Sequence, residues 1–475
     1  MIRLTAQNLL MAAVFIMAGI FLYSCKSLAM EGHQIHVHIK GMQDTEAYLA
    51  YHFGNRQYLT DTTHVDQEGH AVFAGPERLA PGLYLIVLDD HRNFEVLIDR
   101  IQHFSIHIDP DDFVGSARFE DSPQNEAFYE YLNFLTKKNK ERQALDQELR
   151  DIGLSPARHQ EVREALENMD NTVREKQDDI IGRDPDALLA RILLAQRDPE
   201  LPDPPMRPDG QMDTDAMYQI YKEKFFNNID FSDERLLHTP VYHSRLRIFF
   251  NNVLIQHPDS VILEADRVLD KARANREMFK YTVWFITNNA EASQVMGMDK
   301  LYAHMLENYY LSGEVDWIEE DRLARLQQRL DELKPLLIGE VAPNIKIYDP
   351  DAEPVVLHDI EADFLVLYFW DSECVFCREA APKLKEAHNQ LRDKGVKVFA
   401  INTETDSSKW LRAIEGYPQD WIHGHDIHNE SDLLDKYAIY GIPMIFILDS
   451  EKRILAKGIG VEHVAQFIRQ KMSGR

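Results

Sequence analysis

Cysteine is scarce in this chain, and its scarcity excludes one class of protein. Only three of the 475 residues are cysteines, so the chain is not a scaffold held together by many disulfides. Cationic residues are also few, 52 against 79 anionic ones, which leaves a formal net charge of −27. This charge argues against a nucleic-acid partner and against adsorption to an anionic membrane surface, because both need clustered lysine and arginine. A fixed repeat period is absent as well, which disfavours a repeat solenoid.

One long uncharged run is present near the N-terminus. It extends from Leu9 to Tyr23 after a charged start, and its length is typical of a signal peptide rather than of a spanning helix, which needs about 20 apolar residues. The letters LYSC at 22–25 resemble a bacterial lipobox, although Tyr23 is bulkier than that motif usually carries. They predict a signal peptide over residues 1–24 and a lipid on Cys25. An uncleaved anchor helix is the alternative, and either interpretation places the body of the protein outside the cytoplasm.

The next two regions differ in the period of their apolar residues. Residues 31–118 contain short alternating stretches separated by Gly, Pro, Asn and Asp, which predicts a small antiparallel all-β sandwich or barrel. Residues 119–335 show helical spacing, and the first helix is predicted to begin at Pro123 after a capping Ser122. The five prolines between Pro199 and Pro208 predict a loop within this mainly α-helical domain.

The last region, residues 338–475, alternates between strand and helix patterns, which predicts an α/β domain with a mixed sheet. The near-continuous apolar run at 363–370 is typical of a strand buried on both faces. A helix is predicted to follow from Cys374 to about Asp393. The predicted fold class is therefore multidomain, with an all-β domain, an α-helical domain and an α/β domain in chain order.

Cys374 and Cys377 stand at the start of that helix. If Cys25 is lipidated, these two can pair only with each other or with another protein. A disulfide that closes a two-residue loop adds little stability to a chain of this size, so a structural role is disfavoured. The unpaired N–H groups at a helix N-terminus favour the thiolate of Cys374, and Cys377 lies one turn later on the same face. This geometry predicts that Cys374 attacks a disulfide and Cys377 resolves the mixed disulfide.

A second motif lies downstream, where Gly441, Ile442 and Pro443 precede a predicted strand. A proline there cannot donate to the strand ladder and marks an edge or a bend, with a cis peptide facing the cysteines. The letters FWDSECVFCREAAP, with GIP and GIG downstream, resemble the thioredoxin fold and, within it, the TlpA-like extracytoplasmic thiol–disulfide oxidoreductases. The resemblance covers residues 338–475. The earlier regions resemble uncharacterised domains that precede thioredoxin domains in bacterial lipoproteins.

The resemblance implies a role for each of several residues. They are Cys374 as nucleophile, Cys377 as resolving thiol, Pro443 as substrate-facing cis-proline, Ile442 as a backbone partner of a bound peptide, Trp370 in substrate binding and Pro382 as a helix kink. It implies no cofactor and no metal. Two positions depart from the family, since Tyr368 stands where thioredoxins carry a buried Asp and Ala380 where TlpA-like proteins often carry a Glu. Glu379 is one residue away and points about 100° from that position, which predicts a solvated charge.

The charges around Cys374 bear on the direction of electron flow. Asp371 and Glu373 flank it and disfavour its thiolate, while Arg378 partly offsets them. Oxidants of this fold depend on a strongly favoured thiolate, so the local charges favour a reductant. The predicted partners are protein thiols and disulfides, together with the membrane electron donor that a reductant outside the cytoplasm requires.

Three alternatives come from other classes. A zinc site could combine the two cysteines with His423, His425 and His428, but a second tight ligand pair is missing and the histidines are interpreted as loop residues after a strand. A peroxiredoxin-like peroxidase is disfavoured because Asp371 stands where such enzymes carry Thr or Ser. A partner-binding scaffold with an accessory redox domain stays open, because nearly 300 residues before the redox domain carry no catalytic motif.

Overall fold

The computed structural model describes residues 32–150 and 155–474. Cys25 and the predicted signal peptide lie outside the described residues. Within the described ranges, every helix is too short or too polar to cross a membrane. The chain forms two compact units, one ending at Val253 and one beginning at Leu254. The division falls inside the predicted helical domain.

The first unit begins with eight strands in two four-stranded sheets. The strands are β1 His33–Ile39, β2 Thr45–Phe53, β3 Arg56–Val65, β4 His70–Gly75, β5 Gly82–Leu88, β6 Asn93–Ile98, β7 His103–Ile108 and β8 Arg118–Glu120. One sheet has the order β4-β1-β7-β8 and the other β3-β2-β5-β6. The all-β character predicted for this region is confirmed.

Alternation in β1 shows why these residues form strands with one buried face. Ile35, Val37 and Ile39 are fully or almost fully buried, while the residues between them are partly or fully exposed, as the two-residue period of a strand requires. The predicted antiparallel arrangement is confirmed for the sheet β3-β2-β5-β6 and is wrong for one pair of the other sheet, since β1 pairs with β7 in parallel. Alternation reveals which face is buried but not the direction of the neighbouring strand. The sequence analysis also missed β3, because nearly all of its residues are exposed and it has no apolar period.

Helices make up most of the chain between β8 and residue 337. The first unit contains α1 Phe113–Ser116, α2 Pro123–Leu149, α3 Pro156–Arg183, α4 Leu188–Gln196, α5 Thr214–Lys224 and α6 Pro240–Ile248. The second contains α7 Pro258–Ala272, α8 Arg276–Glu291, α9 Asp299–Met305 and α10 Glu320–Leu333. Short 3-10 or π turns cover Glu234–His238, Phe249–Val253, Leu306–Tyr310 and Lys334–Leu336. The mainly helical prediction is confirmed, including the start of α2 at Pro123 and the irregular proline-rich loop before α5.

A seven-stranded mixed sheet completes the second unit. Its strands are β9 Lys346–Tyr348, β10 Pro354–Val356, β11 Phe364–Trp370, β12 Val396–Asn402, β13 Ile422–His425, β14 Met444–Asp449 and β15 Ile454–Lys457. The helices beside it are α11 Val375–Asn389, α12 Ser407–Ile414, α13 Leu433–Lys436 and α14 Val464–Ser473, with 3-10 turns at Leu357–Asp359, Arg392–Lys394 and Val461–His463. The strand order is β10-β9-β13-β12-β11-β14-β15, which confirms the predicted α/β domain.

Strand β11 lies at the centre of this sheet and is buried along its whole length. It pairs in parallel with β12 and antiparallel with β14. Val366 and Tyr368 pack into a core on one face, whereas Leu365 and Leu367 pack into a second core on the other. Two covered faces explain the near-continuous apolar run, because every side chain of the strand meets a core. The strand therefore fixes the position of Trp370 and of the loop that leads into α11.

Candidate functional site

The two cysteines form a disulfide at the start of α11. Their Cα atoms are 5.2 Å apart, and Cys374 is the N-cap residue, whose sulfur accepts a hydrogen bond from the backbone N–H of Cys377 at 3.0 Å. Cys377 has no exposed surface, whereas Cys374 is partly exposed. Only the first sulfur of the pair is therefore open to a molecule in solution.

The loop before β14 faces this exposed sulfur. The peptide bond between Ile442 and Pro443 is cis, as expected from the resemblance. The sulfur of Cys374 lies 3.7 Å from the carbonyl oxygen of Ile442. The structure thus brings together Cys374, Cys377, Ile442 and Pro443, four of the residues predicted for the site. Their roles in catalysis and binding stay predictions.

Trp370 ends the strand that leads into the disulfide helix. It is the last residue of β11, its side chain is fully buried, and its ring stacks on Tyr417 with 4.3 Å between the centroids. Its backbone carbonyl accepts hydrogen bonds from the backbone N–H and the hydroxyl of Thr403 at 2.9 and 3.2 Å. The indole is therefore held in place, and its predicted role in substrate binding stays a prediction.

Tyr368 stands where thioredoxins carry a buried Asp, and its side chain makes a different contact. Its hydroxyl donates a hydrogen bond to the backbone carbonyl of Cys377 at 2.7 Å. Burial raises the pKa of Tyr368, so the phenol stays protonated and acts as a donor at neutral pH. Burial likewise raises the pKa of the neighbouring Tyr417 to about 12. Where the resemblance expects a buried carboxylate that accepts a proton, this chain has a hydroxyl that holds the backbone of the disulfide helix.

The charged residues around the disulfide are connected to one another. The ammonium of Lys409 lies 2.6 Å from a carboxylate oxygen of Glu373, and the hydroxyl of Ser372 donates to Glu404 at 2.6 Å. The guanidinium of Arg378 donates to the carbonyl of Ser372 at 3.1 Å. Lys409 was not predicted as a site residue, because it reaches the site from α12 and no spacing in the sequence indicates that approach. Glu373 is thus partly neutralised by Lys409.

Two grooves border helix α11. The one here called the tryptophan groove has a volume of about 450 Å³ and is lined by Trp370, Ser372, Arg378, Ala381, Pro382, Lys385, Ala413, Gly416, Tyr417 and Pro418. The other, called the proline groove, has a volume of about 320 Å³ and is lined by Phe376, Glu379, Ala380, Lys383, Pro443, Met444, Ile445 and residues 458–462. Pro443 comes from the loop that faces the sulfur of Cys374, so one wall of the proline groove belongs to that loop.

The histidines considered as zinc ligands lie elsewhere. His423 and His425 belong to β13, so their interpretation as loop residues is wrong. His423 lies 2.9 Å from the carbonyl oxygen of Pro418, His425 stacks on Trp410 at 5.0 Å, and burial lowers the pKa of both. In residues 32–150 and 155–474, no group of three or more His, Cys, Asp or Glu side chains is arranged to hold a metal ion.

Three segments of the chain match known families. Residues 338–457 match the AhpC/TSA family, which covers the mixed sheet through β15 and both cysteines of the disulfide. Residues 206–333 match a domain of unknown function, DUF5106. Residues 33–128 match another domain of unknown function, DUF4369. The two earlier matches supply no activity for the first 333 residues.

Two relatives carry the same name. The thiol–disulfide oxidoreductase ResA of Halalkalibacterium halodurans is 22% identical to this chain over 117 residues, which make up 25% of this chain and 65% of that protein. ResA of Bacillus subtilis is 21% identical over 117 residues, or 25% of this chain and 64% of that protein. This chain therefore spans a little under two thirds of the length of each relative.

Solved structures show further similarities. A thioredoxin-like protein from Bacteroides caccae has 19% sequence identity, with 57% of this chain and 99% of that protein covered at a TM-score of 0.45. A domain of a possible thiol-disulfide isomerase from Cytophaga hutchinsonii has 35% identity, with 30% of this chain and 97% of that domain covered at a TM-score of 0.28.

Proposed function

We propose that this chain, whose C-terminal part is a thioredoxin-like domain similar to thiol–disulfide oxidoreductases, exchanges disulfides with protein partners. Cys374 is the nucleophile, Cys377 is the resolving thiol, and Ile442 and Pro443 face the bound partner. The resemblance implies that Trp370 binds substrate; because its side chain is fully buried, we propose that it acts by supporting the disulfide helix and not by direct contact with the partner.

The position of the disulfide is the observation that carries this proposal. The sulfur of Cys374 is at a helix N-terminus, partly exposed, and 3.7 Å from the carbonyl of Ile442. Cys377 is fully buried. A pair with one accessible and one buried sulfur supports attack by the first and resolution by the second.

The exchange has two balanced steps in the reducing direction. The thiolate of Cys374 attacks one sulfur of the partner's disulfide, a mixed disulfide forms, and the other partner sulfur leaves as a thiolate that takes a proton from water. Cys377 then loses its proton to water and attacks the sulfur of Cys374, which releases the second partner sulfur. Two electrons pass to the partner, and the chain keeps the disulfide between Cys374 and Cys377.

We propose that the chain acts as a reductant. Asp371 and Glu373 flank Cys374, and negative charge disfavours the thiolate on which oxidants of this fold depend. Because Lys409 offsets part of the charge of Glu373, this argument depends mainly on Asp371. Each cycle leaves the pair oxidised, so the proposal requires a membrane protein that returns two electrons and two protons to it.

The proposed setting is extracytoplasmic. It is supported by the uncharged run from Leu9 to Tyr23 and the LYSC letters at 22–25, which favour a lipid on Cys25 that anchors the chain to a bacterial membrane. Extraction of the membrane fraction with detergent, followed by mass spectrometry of the N-terminal peptide, tests this. We expect a diacylglycerol on Cys25 of the wild type and none on the corresponding peptide of a Cys25→Ala variant; an unmodified Cys25 would contradict the anchor.

The exchange itself is tested by trapping the mixed disulfide. The reduced full-length Cys377→Ser variant is mixed with a protein that contains a disulfide, and the products are separated without reductant. We expect a covalent adduct through Cys374 that dithiothreitol removes, since the resolving thiol is missing. A Cys374→Ser variant is the matched control and should give no adduct. Equal adduct from both variants, or adduct from neither, would contradict the proposal.

A second candidate is a partner-binding scaffold in which the redox pair is accessory. It is supported by the two domains of unknown function, which cover residues 33–128 and 206–333. Replacing both Cys374 and Cys377 with serine in the producing bacterium separates the candidates. The oxidoreductase is supported if the strain with both serines differs from the wild-type strain in growth. The scaffold is supported if the two strains grow equally.

A further inference from the structure

The last four helices before the thioredoxin-like domain, α7 to α10, belong to the same compact unit as the disulfide. The helical segment is defined here as residues 254–336, from α7 to the 3-10 turn after α10. It ends inside the core of the mixed sheet, where Leu336 is buried with Ile345, Leu357 and Ile454. Its last turn is therefore fixed to the domain that carries the disulfide.

Helix α10 of this segment contacts the loop that faces the sulfur of Cys374. The guanidinium of Arg329 donates a hydrogen bond to the hydroxyl of Tyr440 at 3.3 Å and lies 5.8 Å from the centroid of its ring. Tyr440 precedes Ile442 and Pro443 by only two and three residues. The contact at Tyr440 therefore lies within three residues of the backbone groups offered to a bound partner.

Helix α9 contacts a second loop. Asp299, the first residue of α9, forms an ion pair with Lys457 at the end of β15. Both side chains are mostly shielded, with 24% and 19% of their surfaces exposed, so salt screens this pair less than a surface pair. Lys457 leads directly into Gly458, whose φ of +63° places it in the left-handed region that favours glycine.

These two loops are the ones that line the proline groove. Pro443 to Ile445 come from the first loop and strand, and residues 458–462 come from the second. Phe376 of α11 lines the same groove and has 70% of its surface exposed. The helical segment thus contacts both loops bordering the groove, and each contact lies within three residues of a residue that lines it.

We infer that the helical segment is a positioning element for recognition of partner proteins. Through Arg329 and Asp299 it holds the two loops between which an extended stretch of a partner's disulfide-containing chain lies. The inference rests on the proposed disulfide exchange and extends it. A small disulfide needs only the exposed sulfur of Cys374, so its reaction does not depend on the spacing of the two loops.

Charge reversal at the ion pair tests the inference in the full-length chain. The Asp299→Lys variant places two ammonium groups together and displaces the loop at Gly458. With dithiothreitol as electron source and insulin as protein disulfide, we expect KM to rise about fivefold, which corresponds to about 1 kcal/mol, while kcat changes little. The rate with glutathione disulfide should stay within about twofold, because it needs no groove.

Two further variants distinguish positioning from general damage. Adding Lys457→Asp to Asp299→Lys restores an opposite-charge pair and should return KM to the wild-type value. The Glu307→Lys variant is the matched control, since Glu307 forms an exposed ion pair with Lys334 in the same segment and neither residue lines the groove. Its KM for insulin should equal that of the wild type.

The outcomes of these measurements distinguish failure of the inference from failure of the proposed disulfide exchange. A selective, rescuable rise in KM for insulin supports the inference. The inference is overturned if Asp299→Lys changes KM no more than Glu307→Lys does, or if it slows insulin and glutathione disulfide equally. If the wild-type chain exchanges neither substrate, the proposed function itself fails, and that result is recognisable without any variant.

Discussion

The tryptophan groove, at about 450 Å³, is larger than the proline groove, at about 320 Å³, yet of the two only the proline groove is lined by a residue of the loop that faces the sulfur of Cys374. Cys374 faces the carbonyl of Ile442 in the loop that continues into the wall of the proline groove. The tryptophan groove is lined by Arg378, Lys385 and the stacked rings of Trp370 and Tyr417. We therefore base the proposed place of partner binding on the position of the sulfur of Cys374 and not on the size of a cavity.

The two grooves also differ in the contacts that support their walls. Two contacts from the helical segment hold the loops of the proline groove, through Arg329 and Asp299. The tryptophan groove is supported by packed aromatic side chains, including Trp421, whose ring lies 6.0 Å from that of Tyr417. We therefore assign partner recognition to the proline groove and structural support of the disulfide helix to the tryptophan groove.

Removal of the exposed sulfur should have the largest effect. The Cys374→Ser variant lacks the nucleophile, so we expect reduction of insulin to fall by about 1,000-fold or more, to the rate of dithiothreitol alone. The thermal unfolding temperature of this variant should stay within a few degrees of that of the reduced wild type. Residual turnover above the chemical background would show that another group carries the exchange.

Truncation of Phe376 should weaken binding of protein partners. Its ring lines the proline groove and has 70% of its surface exposed, so a partner can cover it. Loss of that contact in Phe376→Ala should cost about 1.4 kcal/mol, seen as an approximately tenfold rise in KM for insulin. Glutathione disulfide serves as the comparison substrate, and an equal effect on both would remove the distinction between the grooves.

Acid should lower the free energy of unfolding through the two histidines of strand β13. Burial lowers the pKa of His423 and His425, so the folded state favours their neutral forms. Their contribution to stability is present above the usual histidine pKa of about 6.5 and is lost as pH falls below it, because the unfolded chain then binds more protons. We expect the free energy of unfolding to fall by roughly 1 kcal/mol between pH 6.5 and 5.5.

A His425→Phe variant is the control for this acid effect. A phenyl ring can keep the stacking on Trp410 but does not titrate, so the pH dependence of the urea midpoint should become shallower. An unchanged slope would show that other groups account for it.

The smallest effect is expected at Lys385. This residue lines the tryptophan groove and is exposed, so Lys385→Ala should leave KM for insulin within about twofold of the wild type. Lys383→Ala on the same helix is the matched variant, since Lys383 lines the proline groove, and its KM should change more. A larger effect at Lys385 would reverse the assignment of the two grooves.

Local sequence patterns predicted much of the fold around the site. The buried run of β11, the helix that begins after Cys374 and the proline before β14 each depend on neighbouring residues, and the structure contains all three. The match of residues 338–457 to the AhpC/TSA family agrees with the resemblance stated from the FWDSECVFCREAAP letters.

Features that depend on distant residues could not be predicted in the same way. The parallel pairing of β1 with β7 leaves no mark on the alternation of either strand. The ion pairs of Lys409 with Glu373 and of Asp299 with Lys457 join surface or half-buried charges from separate elements. His423 was misplaced in a loop because a four-residue strand with glycine and two histidines has no apolar period.

The most direct test of the account is the reduction potential of the pair formed by Cys374 and Cys377. The full-length chain is equilibrated with mixtures of reduced and oxidised glutathione, and the fraction of disulfide is measured by thiol alkylation and mass spectrometry. We predict a potential near or below about −230 mV, the range of reductants of this fold. A potential near about −120 mV would mark an oxidant and contradict the proposed direction. Failure to form the internal disulfide would contradict the proposed exchange itself.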